Sequence, residues 1–282
     1  EKELRINIHM PKIVKFSEIL SEVISPGVSS KKLLGEQSLV DKRMTLEVIK
    51  MDSDSKFDVE NSETSYSWVQ ILEGEINIGQ NLLTNEHIVF FPLNFQTQIL
   101  ANSNSKFVYV TIPNAKSFDE TLESNNQKSM KIINWFKEPV LNSEFDNRKR
   151  IYVMSEALAN TSVAKGEIII YPPNTSAPEH HHVGAEHFQF MMSGEAIAVL
   201  EGEEHKLEAF DLLYNFENEN HYFYNNSNSE FVFVEFFVPG EYKTIWSKNA
   251  NVCTWLPTGK NYLGDTPSRN IEKHVAGEGE GI

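Results

Sequence analysis

The chain has little cysteine: Cys253 is the one cysteine in 282 residues. An internal disulfide framework, a cysteine-rich zinc module and a paired redox site are therefore excluded. Positive charge is also scarce, with 25 Lys and Arg against 40 Asp and Glu, a formal charge of −15. A chain this acidic repels phosphate backbones and anionic headgroups, which argues against nucleic acid or a membrane surface as partner. No apolar run approaches the ~20 residues that cross a bilayer. The sequence opens at Glu1, so a leader removed ahead of it would not be visible. With none in view and one free thiol, a cytoplasmic location is expected.

What is present is a core-forming, β-rich sequence. Hydrophobic residues make up 40% and phenylalanine occurs 18 times, enough for a substantial core. At roughly 150 residues per domain the length predicts two domains or one large β domain. A repeat favours two. Asn102-Ser-Asn-Ser-Lys-Phe-Val-Tyr-Val110 recurs as Asn226-Ser-Asn-Ser-Glu-Phe-Val-Phe-Val234, an offset of 124. Upstream, Leu72-Glu-Gly-Glu75 corresponds to Met192-Ser-Gly-Glu195, an offset of 120. Two collinear matches at similar spacing point to duplication, with the difference absorbed in a hairpin turn.

Both copies consist of short Val-, Ile-, Phe- and Tyr-rich runs broken by Gly, Asn, Asp and Pro. These predict strands at Thr45–Met51, Ser67–Leu72, His87–Pro92 and Phe107–Ile112. The second set is Gly166–Tyr171, His187–Met192, Leu212–Phe216 and Phe231–Val238. Helical spacing in Ile13–Val23, Phe118–Leu122 and Met130–Phe136 predicts short helices in the N-terminal segment and in a linker. The expected division is a barrel over 1–115, a linker over 116–150 and a second barrel with its tail over 151–282. Gly277 to Gly281 reads as a loose end.

Chemistry gathers in the second copy. Four of the nine histidines lie between positions 180 and 187, and His221 is a fifth nearby in the fold. On a strand, alternate residues share a face, so His180 and His182 point one way and His181 the other. Imidazoles from neighbouring strands then form a pocket suited to a divalent metal.

The pattern resembles the cupin superfamily. That family's first motif is His-x-His, three or four residues, Glu, six residues and Gly; here His180, His182, His187 and Gly194 take those places. The second motif opens on Gly-Asp, with a histidine about ten residues later and Asn after three more; Asp211, His221 and Asn225 follow it. The resemblance spans about 166–238, and the repeat extends it to both halves. It implies an all-β bicupin: two tandem double-stranded β-helix (jelly-roll) barrels. The departure is that His187 stands where the family has glutamate, with Glu186 one place early; counting back from Gly194 favours His187 as ligand.

On this reading His180, His182, His187 and His221 hold one divalent transition metal per chain. Fe(II) is favoured, with Zn, Mn, Ni, Co or Cu as alternatives. An ion without carboxylate ligands keeps its full charge and favours an anionic chelator such as an enolate, a catecholate or an α-hydroxy acid. Same-face counting places Gln189 and Asn225 in the lumen, and Glu235 interrupts an apolar strand as an edge residue or a buried base. Tyr171, Tyr214 and Tyr222 could donate phenol protons, and Lys260 and Arg269 could clamp an anion. The repeat offsets put Glu60, Ser62, Ser67, Thr97 and Ala101 at the corresponding places of the first copy. No histidine is among them, so a structural role is expected there, packing on the second barrel or offering a homodimer surface.

The expected function is a metal-dependent enzyme on a small molecule, foremost a non-haem iron dioxygenase. A non-redox lyase, isomerase or cyclase is the alternative, and a non-catalytic binding bicupin the third.

Overall fold

The structure, a computed structural model, describes residues 12–35, 43–122, 128–275 and 282. Almost every element is a β-strand, arranged in four sheets that form two barrels. The first barrel closes a seven-stranded sheet, which includes Thr45–Met51, Tyr66–Glu73, His87–Phe91 and Ser105–Ile112, against a four-stranded one that includes Lys56–Glu60 and Gln96–Ala101. The second barrel repeats the plan with nine strands, including Lys165–Tyr171, Glu186–Ser193, Leu212–Asn215 and Phe231–Val238. Its facing sheet has five, including His180–Val183, Glu195–Leu200 and His221–Tyr224.

Alternation divides the apolar residues into separate cores. In the first barrel Val59, Val69, Ile71, Phe91 and Phe107 point inward and pack together; in the second, Ile169, Met191, Leu213, Phe223 and Phe233 do so. The outward faces of the two large sheets meet each other. Trp68, Phe90, Val108 and Val110 from one barrel pack on Phe188, Phe190, Val234 and Phe236 from the other. Trp68 and Phe236 have ring centroids 4.5 Å apart. This is why Phe231–Val238 reads as a nearly unbroken apolar run: one face lines a barrel and the other a seam, and neither meets water.

The connecting segments depart from expectation. Ile13–Val23 is not a helix. It begins in the strand Lys12–Val14, makes one 3-10 turn at Phe16–Glu18 and enters the strand Glu22–Ser25. Lys12–Val14 pairs with Leu212–Tyr214, so this N-terminal strand belongs to a sheet of the second barrel. Met130–Phe136 is likewise extended: Lys131–Asn134 adds to the edge strand His87–Phe91 before a 3-10 turn at Trp135–Lys137. Phe118–Leu122 is turn structure after a 3-10 turn at Ala115–Ser117. Unpaired sheet edges satisfied these backbone groups where an isolated short helix would have left its end groups open. Arg148, within the expected linker, leads into Lys149–Met154, which pairs with Lys165–Tyr171 of the second barrel. Of the loose end, residues 277–281 lie outside the described residues.

Candidate metal centre

Three strands of the small sheet bring the histidines together. His180 lies opposite His221 on one side and Trp246 on the other, and His182 lies opposite Thr244. His181, on the other face, meets Asn220 instead. The rings of His180 and His221 are 4.6 Å apart, those of His180 and His182 4.9 Å.

Hydrogen bonds fix the ring orientations. His180 Nδ1 donates to the Pro178 carbonyl and His221 Nδ1 to that of Glu219, both at 2.8 Å. Each therefore carries its proton on Nδ1 and keeps a lone pair on Nε2, the tautomer a metal ligand needs. His182 Nδ1 is 3.2 Å from the Thr244 hydroxyl. The Nε2 of His221 is buried and has no hydrogen-bond partner. One ligand atom from each of His180, His182 and His221 lies within 4.8 Å of the other two. Burial, and then the neighbouring imidazoles, hold the pKa of His180 and His182 well below the usual range; burial takes His221 to about 4. All three are neutral near pH 7, so the donor set fits a divalent ion.

His187 comes from the large sheet and reaches the same cluster from across the barrel. Its ring is 4.9 Å from His182 and 4.8 Å from His221, stacked on Phe237. It lies outside the tight group of three. Its Nε2 faces two amides, Gln189 Nε2 at 3.0 Å and Asn215 Nδ2 at 3.2 Å, while its buried Nδ1 has no partner. Glu186 faces the seam between the barrels, where Tyr214 donates to it and Arg43 is 3.8 Å away.

Gln189 and Glu235 both line the cavity beside the histidines, and Gln189 Nε2 donates to Glu235 at 3.1 Å. Glu235 is no edge residue: it is 6% exposed. Burial, and then Glu167 on the neighbouring strand, raise its pKa well above the carboxylate range. Asn225 corrects the lumen reading. Its amide donates to the carbonyls of Tyr171 and Ser229 and accepts from the Ser227 amide, so it braces the turn before Phe231. Of the tyrosines, Tyr171 and Tyr222 line the cavity and Tyr214 lies in the seam. Burial pushes Tyr171 up to about 12. The proposed clamp is not formed: Arg269 is bound to Glu138 at 2.8 Å, and neither it nor Lys260 lines the cavity.

The corresponding place in the first barrel is filled differently. Strand pairing shifts the repeat by one on the first ligand strand: Val59 lies opposite Thr97 as His180 lies opposite His221. Val59 and Asn61 thus take the positions of His180 and His182, and the expected Glu60 points to solvent. Asn61 accepts from Ser67, the counterpart of His187, and donates to the carbonyls of Phe91 and Pro92. A valine and an amide–hydroxyl pair occupy the centre.

Sequence reasoning missed the cavity's other wall. Arg148 and Arg150 line it from the segment taken as linker, and Tyr242, Thr244, Trp246, Cys253 and Trp255 line it from the segment taken as tail. The sequence signal is weak: neither Arg148-Lys-Arg-Ile-Tyr152 nor Tyr242-Lys-Thr-Ile-Trp246 alternates apolar with polar residues, and pairing with neighbouring strands makes most of each extended. The cavity volume is about 40 Å³, and the cavity is partly open to solvent.

The comparisons agree with this architecture. The family described as "Cupin domain" matches residues 167–237. Among solved structures, a variant of oxalate decarboxylase from Bacillus subtilis superposes with a TM-score of 0.66 at 13% identity, covering 85% of this chain and 79% of that one. Another structure of the Bacillus subtilis enzyme, from a study of the EPR parameters of its Mn(II) centres, gives 0.65 at 14% identity with the same coverage. At these identities the likeness is one of fold. No curated protein sequence matches the chain.

Proposed function

With a cupin domain at residues 167–237 inside a two-barrel cupin fold, we propose that this chain is a metal-dependent enzyme. Its substrate is a small anion that chelates through oxygen, and its chemistry turns on proton transfer, as in a lyase, isomerase or cyclase. The observation that carries this is the trio His180, His182 and His221, neutral and oriented, with ligand atoms within 4.8 Å of one another. A divalent ion held there supplies Lewis-acid polarisation of a chelated oxygen. Among the alternatives manganese now stands beside iron, since a protein of the same fold is described by its Mn(II) centres; an imidazole set does not choose between them.

His187 is the proposed fourth ligand, through Nδ1. Turning the Gln189 and Asn215 amides end for end keeps their positions and points their oxygens at His187 Nε2, which then carries the proton. The unpartnered Nδ1 and Asn215 Oδ1 both gain a purpose in that arrangement, and a protonated Glu235 can donate to Gln189. Glu235 is the proposed proton donor: a neutral carboxyl at the cavity wall, kept so by burial and by Glu167.

A dioxygenase is the second reading, favoured by an all-nitrogen donor set that leaves positions for substrate and dioxygen. The test loads the purified protein with Mn(II), Fe(II) or Zn(II) and offers small hydroxy and keto acids in air and under argon, following product and oxygen uptake. Turnover that persists under argon is expected. Oxygen uptake matching product would replace this reading with the second. A protein that retains none of these metals would overturn both.

A further inference from the structure

The cavity has an arginine-lined end that the histidine cluster does not use. Arg148 and Arg150 occupy successive inward positions, and Arg148 is 5% exposed. Burying two guanidiniums is expensive unless each meets an anion or an acceptor. Each has one carboxylate: Arg148 Nε donates to Asp146 at 2.8 Å, and Arg150 Nη2 lies 3.1 Å from Glu167. The pairing is incomplete, for Arg150 Nε is buried without a partner. Trp255, from the C-terminal strand Thr254–Asn261, lies over both, its ring 4.3 Å from the Arg150 guanidinium carbon and 5.6 Å from that of Arg148. Its indole N–H is also buried and unpartnered, on a side chain that lines the same cavity. Unmet donors on two neighbouring buried side chains mark a place for an acceptor.

We propose that Arg148, Arg150 and Trp255 form an anion-binding position separate from the histidine cluster, so that the substrate is a diacid: one end chelates through oxygen, and the other is a carboxylate that touches no metal. This rests on the function proposed above and narrows its substrate class. Charge agrees with it. The two guanidiniums are balanced by Asp146 and Glu167, and a divalent ion at neutral imidazoles adds two positive charges that a dianion cancels. Both arginines line the same cavity as His180 and His182.

Malate and lactate separate the two ends, since they share the α-hydroxy acid and differ in the distal carboxylate. Isothermal titration of the Mn(II)-loaded protein should give at least tenfold tighter binding of malate than of lactate. Arg148→Gln should cut that ratio below about threefold with metal content unchanged. Trp255→Phe keeps an aromatic ring beside Arg150 and loses the N–H with part of the indole; a smaller ratio at unchanged metal content is expected again. Equal binding of malate and lactate to the unaltered protein, or a ratio that survives both substitutions, would overturn the anion position and leave the metal centre standing. If the protein holds metal but binds neither acid, the proposed substrate class falls as well.

Discussion

His182 and Glu186 are both candidate ligands on consecutive strands of different sheets, yet only one of them faces the cluster. His182 joins the imidazole cluster, whereas Glu186 points to the seam and accepts from Tyr214. His182→Ala should therefore strip the metal, as elemental analysis would register. Glu186→Ala should retain it while leaving the buried Tyr214 hydroxyl without an acceptor, a loss of about 1–3 kcal/mol in urea unfolding. Metal lost from the Glu186 variant and kept in a His187→Ala variant would reverse the ligand register. Period-two alternation made His180, His182 and Gln189 legible in the sequence, and the count back from Gly194 added His187. It failed for Asn225, where the strand ends at Tyr224 and the side chain turns back on the backbone. It does not reach Arg148 and Arg150, because Arg148-Lys-Arg-Ile-Tyr152 has no apolar–polar alternation and pairing with Lys165–Tyr171 sets its strand.

At the scale of elements, turns carry more of the fold than composition suggests. Gly194 and its counterpart Gly74 have φ of +78° and +80°, and a Cβ on Gly194 would stand 2.3 Å from the Glu230 carbonyl oxygen. Gly194→Ala should cost about 1–3 kcal/mol from backbone strain alone, read as a lowered urea midpoint. Asp119 ties the stretch after the first barrel to the entry of the second. It accepts from Thr161, from the Ser162 amide and from Thr121. Burial alone would raise its pKa, but these hydrogen bonds outweigh that and set it below the ordinary value. A carboxyl depressed on folding stabilises fully above its unfolded pKa, near 3.9, and the benefit fades as pH falls through the lower folded value. Asp119→Asn should thus be less stable than the unaltered protein at pH 7, and the gap should narrow under acid, as urea titrations from pH 7 to 2 would show. The strands were legible because apolar runs between turn residues are a strong local signal. The segments expected as short helices misread, because distant pairing partners decided them: Leu212–Tyr214 for the N-terminal one and His87–Phe91 for Lys131–Asn134.

For the whole molecule, the seam between the barrels is a core of its own. Phe236 is fully buried there, 4.5 Å from Trp68 across the seam, and Gly166 beneath it leaves room for its ring: a Cβ would come within 2.2 Å. The repeat made two barrels legible, but not that each strand of the large sheets serves two cores; that depends on how the copies dock, which no window of sequence contains. Lys12–Val14 reinforces the joint by carrying the N-terminal chain into the second barrel's sheet. With so much apolar surface shared, the barrels should melt as one unit, giving a single calorimetric transition. Phe236→Ala opens a cavity in the seam, a loss of about 3–5 kcal/mol that falls on the contact between barrels as well as on the second barrel itself. Weakening the joint should lower the melting temperature and split the transition into two. A variant that melts once, at an unchanged temperature, would mean that the barrels touch without supporting each other.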